Sequence, residues 1–353
     1  MSGTVRELSR DDLPAVAALY ERVMRSGAQQ PAPGLVNYFE RVLFGPLRRE
    51  GVEPLVYVRE DGRVVGFLAA YARQLASADG RRLLLGCSGQ LVSDPDARLP
   101  GVGVVLLRRF LAGPQDLSIT DGATVAVAEM WRRLGGRVRA LESLVWIKVL
   151  RPVSAALLAA RTRWGRGAAP PGSARGKSAA PAGRESRELD AAALVELSER
   201  LRARWRFAPA LDLALAEWLL HELARSAPAR GPFVARQVTG ATGRTVGAYL
   251  AFLPRGGRAQ AICVLAERGH ERRVLDDLFA CARAAGAATV EGRVEPHLFE
   301  ALASAGVIIR PGERALVHSE DGDLATLAVA GDVLMTRLEG EWWMAHHLDP
   351  LPG

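Results

Sequence analysis

The sequence predicts an α/β protein of two tandem domains, each a mixed, mostly antiparallel sheet flanked by helices. Three observations support this fold class. Strand and helix patterns alternate along the chain, a Pro- and Gly-rich segment separates two halves of similar length, and the halves repeat one plan. A chain of 353 residues is long enough for about two domains, each with its own core.

Each half begins with a short strand followed by an amphipathic helix. The stretch "TVRELS" leads to a helix with Leu13, Val16 and Tyr20 on one face, and "RESREL" leads to Asp190 as the cap of another helix. A second helix follows in each half, near residues 36–47 and 211–223. Next come two strands joined by a tight turn, at Asp61-Gly62 in the first half and around residues 240–243 in the second.

Glycines and acidic residues recur at matching places in the two halves, which indicates duplication. Gly66 and Gly247 occupy equivalent positions in the two hairpins. Farther along, three pairs share one offset: Asp121 with Glu291, Gly122 with Gly292, and Gly136 with Gly306. We therefore predict a first domain over residues 1–163, a flexible linker over 164–187, a second domain over 188–345 and a tail over 346–353.

Composition excludes several classes of protein. The 49% hydrophobic and 24% charged residues are typical of a globular chain, and no apolar run approaches the ~20 residues that cross a bilayer. Charges occupy the place of a signal peptide's apolar segment, so we expect a cytoplasmic protein without a membrane span. The cysteines Cys87, Cys263 and Cys281 are odd in number and far apart, which argues against a disulfide framework or a zinc site.

The net charge of +7 does not by itself indicate a nucleic-acid partner. Nearly all basic residues are arginine, and the two lysines are Lys148 and Lys177. This bias, together with abundant Ala and Gly, is typical of the nucleotide composition of a source gene and not of selection for a partner. We expect no nucleic acid as partner and no bound metal.

The stretch "RLPGVGVVLLRRFL", residues 98–111, predicts an anion site. A helix starts near Val102, after the longest predicted strand, and Gly101 and Gly103 leave its first N–H groups uncovered. Such a helix start favours a phosphate, and Arg98 adds a positive charge. The alternative is that the glycines only shape a loop.

The stretch "LVSDPDARLPGVGVVLLRRFL" resembles the acetyl-CoA motif of the GCN5-related N-acetyltransferase (GNAT) superfamily. Arg98, Gly101 and Gly103 match its R/Q-x-x-G-x-G/A hexapeptide in register. The resemblance implies that the cosubstrate is acetyl-CoA or another acyl-CoA. It also implies which residues would hold this cosubstrate: Leu91, Val92, Arg98, Leu99, Gly101, Val102, Gly103 and Val104. Pro100, which has no N–H, is a departure from an ideal pyrophosphate site.

The proton-transfer groups of that superfamily are missing from the first half. The central strand "LLLGCSGQLV" has no carboxylate to serve as base, and Trp131 stands where the superfamily has a tyrosine acid. The remaining weak candidates are Ser88, Gln90 and Asp121.

Three explanations for the missing groups stay open. Catalysis can rely on proximity with a chain of water molecules. The base can come from the second half, where Glu291, Glu295 and His318 are available. Finally, the protein can be a non-catalytic CoA-binding module or scaffold.

The second half lacks the anion site. At the matching place Gly269 stands alone between Glu267 and Glu271, whose charges would repel a pyrophosphate. We therefore expect the first domain to transfer an acetyl group to a primary amine of a small molecule, an amino sugar or a peptide. The aromatic stretch "EWWMAHH", residues 341–347, is predicted to end a terminal strand.

Overall fold

The computed structural model describes residues 3–25, 27–97, 99–163 and 186–344. Up to residue 163 the strands are β1 (Gly3–Glu7), β2 (Leu55–Arg59), β3 (Val64–Ala76), β4 (Arg82–Ser93), β5 (Leu117–Ala123), β6 (Arg137–Arg139) and β7 (Leu144–Val149). The helices of this half are α1 (Leu13–Met24), α2 (Leu35–Leu43), α3 (Val102–Leu111), α4 (Val125–Arg133) and α5 (Pro152–Arg163).

From residue 186 onward the same kinds of element follow. The strands are β8 (Ser186–Glu188), β9 (Ala208–Pro209), β10 (Phe233–Thr239), β11 (Thr245–Phe252), β12 (Arg258–Ala266), β13 (Thr289–Arg293), β14 (Ile308–Pro311) and β15 (Arg314–His318). The helices are α6 (Ala191–Leu201), α7 (Leu213–Arg225), α8 (Ala227–Arg230), α9 (Glu271–Ala284), α10 (Phe299–Ser304) and α11 (Gly322–Ala330). Asp190 caps α6 as predicted, since its side chain accepts a 2.8 Å hydrogen bond from the Ala193 N–H.

The strands form two mixed sheets, which confirms the predicted fold class. The first sheet has the order β1-β2-β3-β4-β5-β15-β6, with β9 added to β3, and the second has the order β14-β7-β13-β12-β11-β10-β8. In each sheet one pair of strands is parallel, β4 with β5 and β12 with β13, and the other described pairs are antiparallel.

Three strands pair with the sheet of the other half of the chain, which the sequence did not indicate. Strand β9, from the second half, pairs with β3 in the first sheet. Strand β7, from the first half of the chain, pairs with β13 and β14 in the second sheet. Strand β15, from the second half, lies between β5 and β6 in the first sheet. Each sheet therefore contains an interior strand from the other half of the chain.

The repeated glycines have a structural reason in both domains. A Cβ at Gly66 would meet the Val102 side chain of α3, and a Cβ at Gly247 would meet the Val274 side chain of α9. Each glycine lets a helix pack closely on the sheet at the same point of the fold. The three cysteines are buried and form no disulfide within the described residues.

The predicted terminal strand is wrong. Residues 332–340 form a bridge at residue 333 and turns, and a further turn follows before Met344. The alternating pattern in "DVLMTRLEGEWW" therefore reflects burial of successive side chains between the two sheets and not strand pairing. Of the predicted linker, residues 164–185 lie outside the described part of the chain, as does the predicted tail.

No helix in the described ranges is a candidate for a membrane span. None of the helices within residues 3–163 and 186–344 combines the length and apolar character that a membrane span requires.

Candidate active site between strands β4 and β5

Strands β4 and β5 run parallel for only a short distance and then diverge. Their pairing joins residues 85–87 to residues 117–119, although β4 continues to Ser93 and β5 to Ala123. Beyond Cys87 the edge of β4 that faces β5 has no strand partner among the described pairs. The divergence leaves an opening in the middle of the sheet, with backbone N–H and C=O groups available to a ligand.

A β-bulge in β4 aims backbone groups into this opening. Phe67 pairs with Val92 and Ala69 pairs with Gly89, so one residue of β3 faces two residues of β4. At the bulge Gln90 has φ of +44°, and among the described residues it is the one non-glycine residue with a positive φ. Such backbone strain is typical of functional sites.

The opening is one side of a cavity of about 220 Å³. Its inner part is mainly apolar, with Leu68, Leu107, Val127 and Trp131. Its outer part carries the exposed Met24 and Glu313 together with the half-buried Trp342. The cavity therefore offers an apolar end and an end with aromatic and acidic groups.

The segment that follows helix α11 places a carboxyl group in the opening. Glu341 lines the cavity, and its Oε2 accepts hydrogen bonds from the Gln90 backbone N–H at 3.1 Å and from Gln90 Nε2 at 2.8 Å. Gln90 thus holds the Glu341 carboxyl with both its backbone and its side chain.

Three glycines make room for this carboxyl. A Cβ at Gly89 of β4 or at Gly122 of β5 would collide with the Glu341 side chain, and a Cβ at Gly340 would collide with the Asp121 carboxyl. Only glycine allows so close an approach at these three positions. The opening in the sheet is therefore shaped to hold the side chain of Glu341.

Burial changes the acid–base behaviour of this carboxyl. It raises the pKa of Glu341 to about 8, and the nearby Asp121 carboxylate adds to the shift. A carboxyl group with a pKa near neutrality can both accept and release a proton under ordinary conditions.

Backbone contacts on both sides of Glu341 hold it in place. Its own N–H donates to Asp121 Oδ1 at 2.7 Å, and the indole N–H of Trp342 donates to the Asp121 carbonyl at 3.2 Å. The hydroxyl of Tyr71 donates to the carbonyl of Gly340, and Arg230 Nη2 donates to the carbonyl of Trp342 at 2.8 Å.

A second cavity adjoins the first at the start of α3. It measures about 580 Å³, is lined by residues 99–104 among others, and shares Leu91 and Val127 with the first cavity. Gly101 has φ of +86° with open space in front of it, and the Val105 N–H makes a helical bond to the Gly101 carbonyl. The N–H groups of residues 102–104 precede that bond and are therefore available to an anion.

The structure separates the predicted cosubstrate residues into two groups. Leu91, Leu99, Gly101, Val102, Gly103 and Val104 line the second cavity. Val92 is instead buried in the core, where it pairs with Phe67. Arg98 lies outside the described residues. The role of all eight as cosubstrate ligands stays a prediction.

The predicted catalytic candidates take three different places. Gln90 holds Glu341, and Ser88 lines the cavity with its hydroxyl 3.5 Å from the Ile119 carbonyl. Asp121 is buried and lies 3.1 Å from Arg293 Nη1, so it anchors the segment that carries Glu341. Trp131, where the GNAT motif has a tyrosine, is buried against the apolar end of the cavity.

The carboxylates proposed from the second half lie elsewhere. Glu291 is on β13 near Arg258 and Arg310, and Glu295 is buried 3.7 Å from His297. His318 ends β15, and the described lining of the first cavity includes none of these three predicted residues. Sequence reasoning missed Glu341 because it interpreted "EWWMAHH" as part of a strand. The available signal was an acidic residue beside glycine and two tryptophans, close to the end of the second half.

The corresponding helix start in the second domain is already filled by side chains. The Gly269 N–H donates to Glu271 Oε2 at 2.8 Å, and Glu267 pairs with Arg244 at 2.6 Å. A carboxylate of the chain thus takes the position that an anion would need.

The fold is that of the GCN5-related N-acetyltransferases. A GCN5-related N-acetyltransferase from Kribbella flavida matches with a TM-score of 0.57 and 17% identity, over 94% of this chain and 74% of that one. Another from Anabaena variabilis matches with a TM-score of 0.58 and 14% identity, over 90% and 73%. Saccharomyces cerevisiae N-myristoyltransferase with bound myristoyl-CoA matches with a TM-score of 0.52 and 12% identity, over 95% and 84%. No protein-family model matches the sequence, and no curated protein is similar to it.

Proposed function

We propose that this protein is an acyl-CoA-dependent N-acyltransferase. Its first domain would transfer an acetyl group from acetyl-CoA to a primary amine of a small molecule, an amino sugar or a peptide. The observation that carries the proposal is that the cavity at the start of α3 adjoins the cavity at the opening in the sheet, since both are lined by Leu91 and Val127.

The described residues fit a CoA thioester. The N–H groups of residues 102–104 would bind the diphosphate, and the open space before Gly101 leaves room for it. The free edge of β4 would pair with the amide groups of the pantetheine arm. When bound, the thioester supplies an activated acyl group, and the apolar end of the first cavity would receive the acyl chain.

The outer end of the first cavity suits a cationic amine. Glu313 contributes a carboxyl group there and Trp342 an indole ring, and the Glu341 carboxyl lies in the adjacent opening. Opposite charge attracts a protonated amine, and an aromatic face stabilises a cation or an apolar group beside it.

Two glycines with the same backbone conformation provide the test. Gly101 has φ of +86° and Gly269 has φ of +84°, and a Cβ at either would meet no atom within 4 Å. Gly101→Val and Gly269→Val therefore strain the backbone equally, but only the first places a side chain in the proposed diphosphate site.

The measurement is free CoA released from acetyl-CoA with a mixture of amino sugars, polyamines and short peptides, together with acetyl-CoA affinity by calorimetry. We expect Gly101→Val to lower the affinity by roughly tenfold or more, about 1.4 kcal/mol, and to abolish release. Gly269→Val should keep the affinity for acetyl-CoA and the rate of CoA release within about twofold of the unaltered protein. Equal behaviour of the two variants, or no release by the unaltered protein, would contradict the proposal.

A further inference from the structure

We infer that Glu341, on the segment that follows helix α11, is the catalytic base that accepts the proton of the acceptor amine in the first domain. The inference rests on the proposed function. It identifies a residue that can serve as the base, since strand β4 has no carboxylate.

The position of the carboxyl supports this role. Glu341 lies in the opening between β4 and β5 and lines the cavity between its apolar end and its outer end. An amine that attacks a thioester carbonyl held in that opening would lie beside the Glu341 side chain. A base has to lie within hydrogen-bond reach of the proton that it removes, and a carboxyl in the opening would meet this requirement.

The orientation of the carboxyl is fixed before any ligand binds. Gln90 contacts one oxygen through two N–H groups, and the backbone of the segment is tied to Asp121 and Tyr71. Trp343, two residues farther on, is buried with ring centroids 6.1 Å from Tyr71 and 5.5 Å from Trp218. A preorganised base spends little free energy on ordering when the reaction occurs.

The other acids near the opening are less suited to this role. Asp121 is paired with Arg293 and accepts the Glu341 N–H, and it does not line the described cavity. Glu313 lines the cavity but is exposed at its outer end. Glu341 is the carboxyl that combines a place inside the opening with a fixed orientation.

In this step one proton moves to the Glu341 carboxylate and a second moves to the departing sulfur. An ammonium acceptor gives one proton to the Glu341 carboxylate, and the neutral amine nitrogen then attacks the thioester carbonyl carbon. The C–N bond forms, the C–S bond breaks, and the second proton lost by nitrogen passes to the sulfur of the departing CoA. The products are the amide and free CoA, and the proton held by Glu341 returns to water.

Several charged and ionisable groups near Glu341 influence its protonation. They are Asp121 on β5, Glu313 before β15, Tyr20 on α1 and Tyr71 on β3, with Arg293 and Arg337 next to Asp121. Burial together with the Asp121 carboxylate raises the pKa of Glu341 to about 8. The base form therefore increases as the pH rises through about 8, and activity should increase with it.

The first test compares Glu341→Gln with Glu313→Gln, a carboxyl of the same cavity outside the opening. The assay measures CoA release from acetyl-CoA at saturating concentration of the best amine in the mixture, from pH 6 to pH 10, and acetyl-CoA affinity by calorimetry. We expect Glu341→Gln to lower kcat by roughly 10²- to 10⁴-fold and to abolish the increase in kcat near pH 8, which is called the limb below. The affinity for acetyl-CoA should stay within about threefold. Glu313→Gln should retain the limb.

A second variant displaces the carboxyl without removing it. Gly122→Ala places a methyl group where the Glu341 carboxyl lies. We expect a loss of kcat comparable to that of Glu341→Gln, and a double variant no slower than either single variant, because both changes remove one function.

The outcomes distinguish this inference from the proposed function. If the unaltered protein releases CoA and Glu341→Gln retains kcat within threefold together with the limb near pH 8, the inference is overturned and the proposed function stands. If the unaltered protein binds no acetyl-CoA and releases no CoA, the proposed function fails and the inference fails with it.

Discussion

The backbone N–H of Glu341 donates a 2.7 Å hydrogen bond to Asp121 Oδ1, which links the last described segment of the chain to strand β5. Asp121 also lies 3.1 Å from Arg293 at the end of β13 in the second sheet. One buried carboxylate therefore connects both sheets and the segment that carries Glu341. The position of the segment with Glu341 therefore depends on the second sheet as well as on the first.

Replacing Asp121 should weaken the fold and misplace Glu341. Asp121→Asn retains an oxygen for the Glu341 N–H but leaves the buried Arg293 without a carboxylate, a change that costs about 3–5 kcal/mol of unfolding free energy in comparable cases. Urea denaturation should show this loss. Asp276→Asn, which removes an exposed partner of Arg272, is the control and should change stability by less than about 0.5 kcal/mol. Equal stability of the two variants would contradict the assigned role of Asp121.

The fold was more predictable than the site. Periodicity and the repeated glycines indicated two α/β domains because Gly66 and Gly247 pack against helices in the same way. The exchange of β7 and β15 was not predictable, since the sequence pattern of a short strand does not specify which other strand it pairs with. Glu341 was missed for a related reason. Its position depends on contacts with Gln90 and Asp121, which lie more than 200 residues away along the chain.

Trp131 should determine the length of the acyl group that fits the first cavity. Its buried ring borders the apolar end, so Trp131→Leu would lengthen the space available to an acyl chain. We expect the ratio of kcat/KM for hexanoyl-CoA to that for acetyl-CoA to rise by roughly tenfold, about 1.4 kcal/mol. The same change should cost about 2–4 kcal/mol of stability because a large core side chain is truncated.

Trp205→Leu provides the comparison for this prediction. Trp205 is buried beside His297 and does not line the described cavity, so its truncation should destabilise the protein without altering the preference among acyl-CoA esters. An unchanged preference in Trp131→Leu would show that the acyl chain lies elsewhere.

His297 should make the protein less stable in acid. Burial lowers the pKa of His297 from 6.5 to about 4, and its Nε2 lies 3.1 Å from the Val264 carbonyl, so the ring is neutral with Nε2–H as donor. The unfolded chain takes up the proton near pH 6.5 and the folded chain only near pH 4. Stability is therefore full above about pH 6.5 and falls by up to about 3 kcal/mol as the pH decreases to 4.

Comparison with His297→Gln isolates this contribution. Burial raises the pKa of the neighbouring Glu295 to about 8, so the contribution of Glu295 to stability decreases as the pH rises from 4.5 toward 8. Because both proteins retain Glu295, the difference between their urea-denaturation curves from pH 4 to pH 7.5 reports His297. A difference that is the same at all pH values would contradict the prediction.

Cleavage between the two halves should leave them associated. Strand β15 pairs with β5 on one side and β6 on the other, and it contributes Leu316 and Val317 to the buried cores of the first domain. Strand β7 likewise lies between β13 and β14 and places Trp146 in the core of the second domain.

A protease recognition site inserted within residues 164–185 tests whether these strands hold the two halves together. After cleavage, both fragments should elute together in gel filtration under native conditions and separate in denaturant. Dissociation would break five strand pairings, the fifth being β9 with β3, and would expose buried apolar side chains. Fragments that separate without denaturant would show that the exchanged strands contribute little to the association. Fragments that stay together and still release CoA would show that the chain connection is dispensable once β7, β15 and the segment with Glu341 are in place.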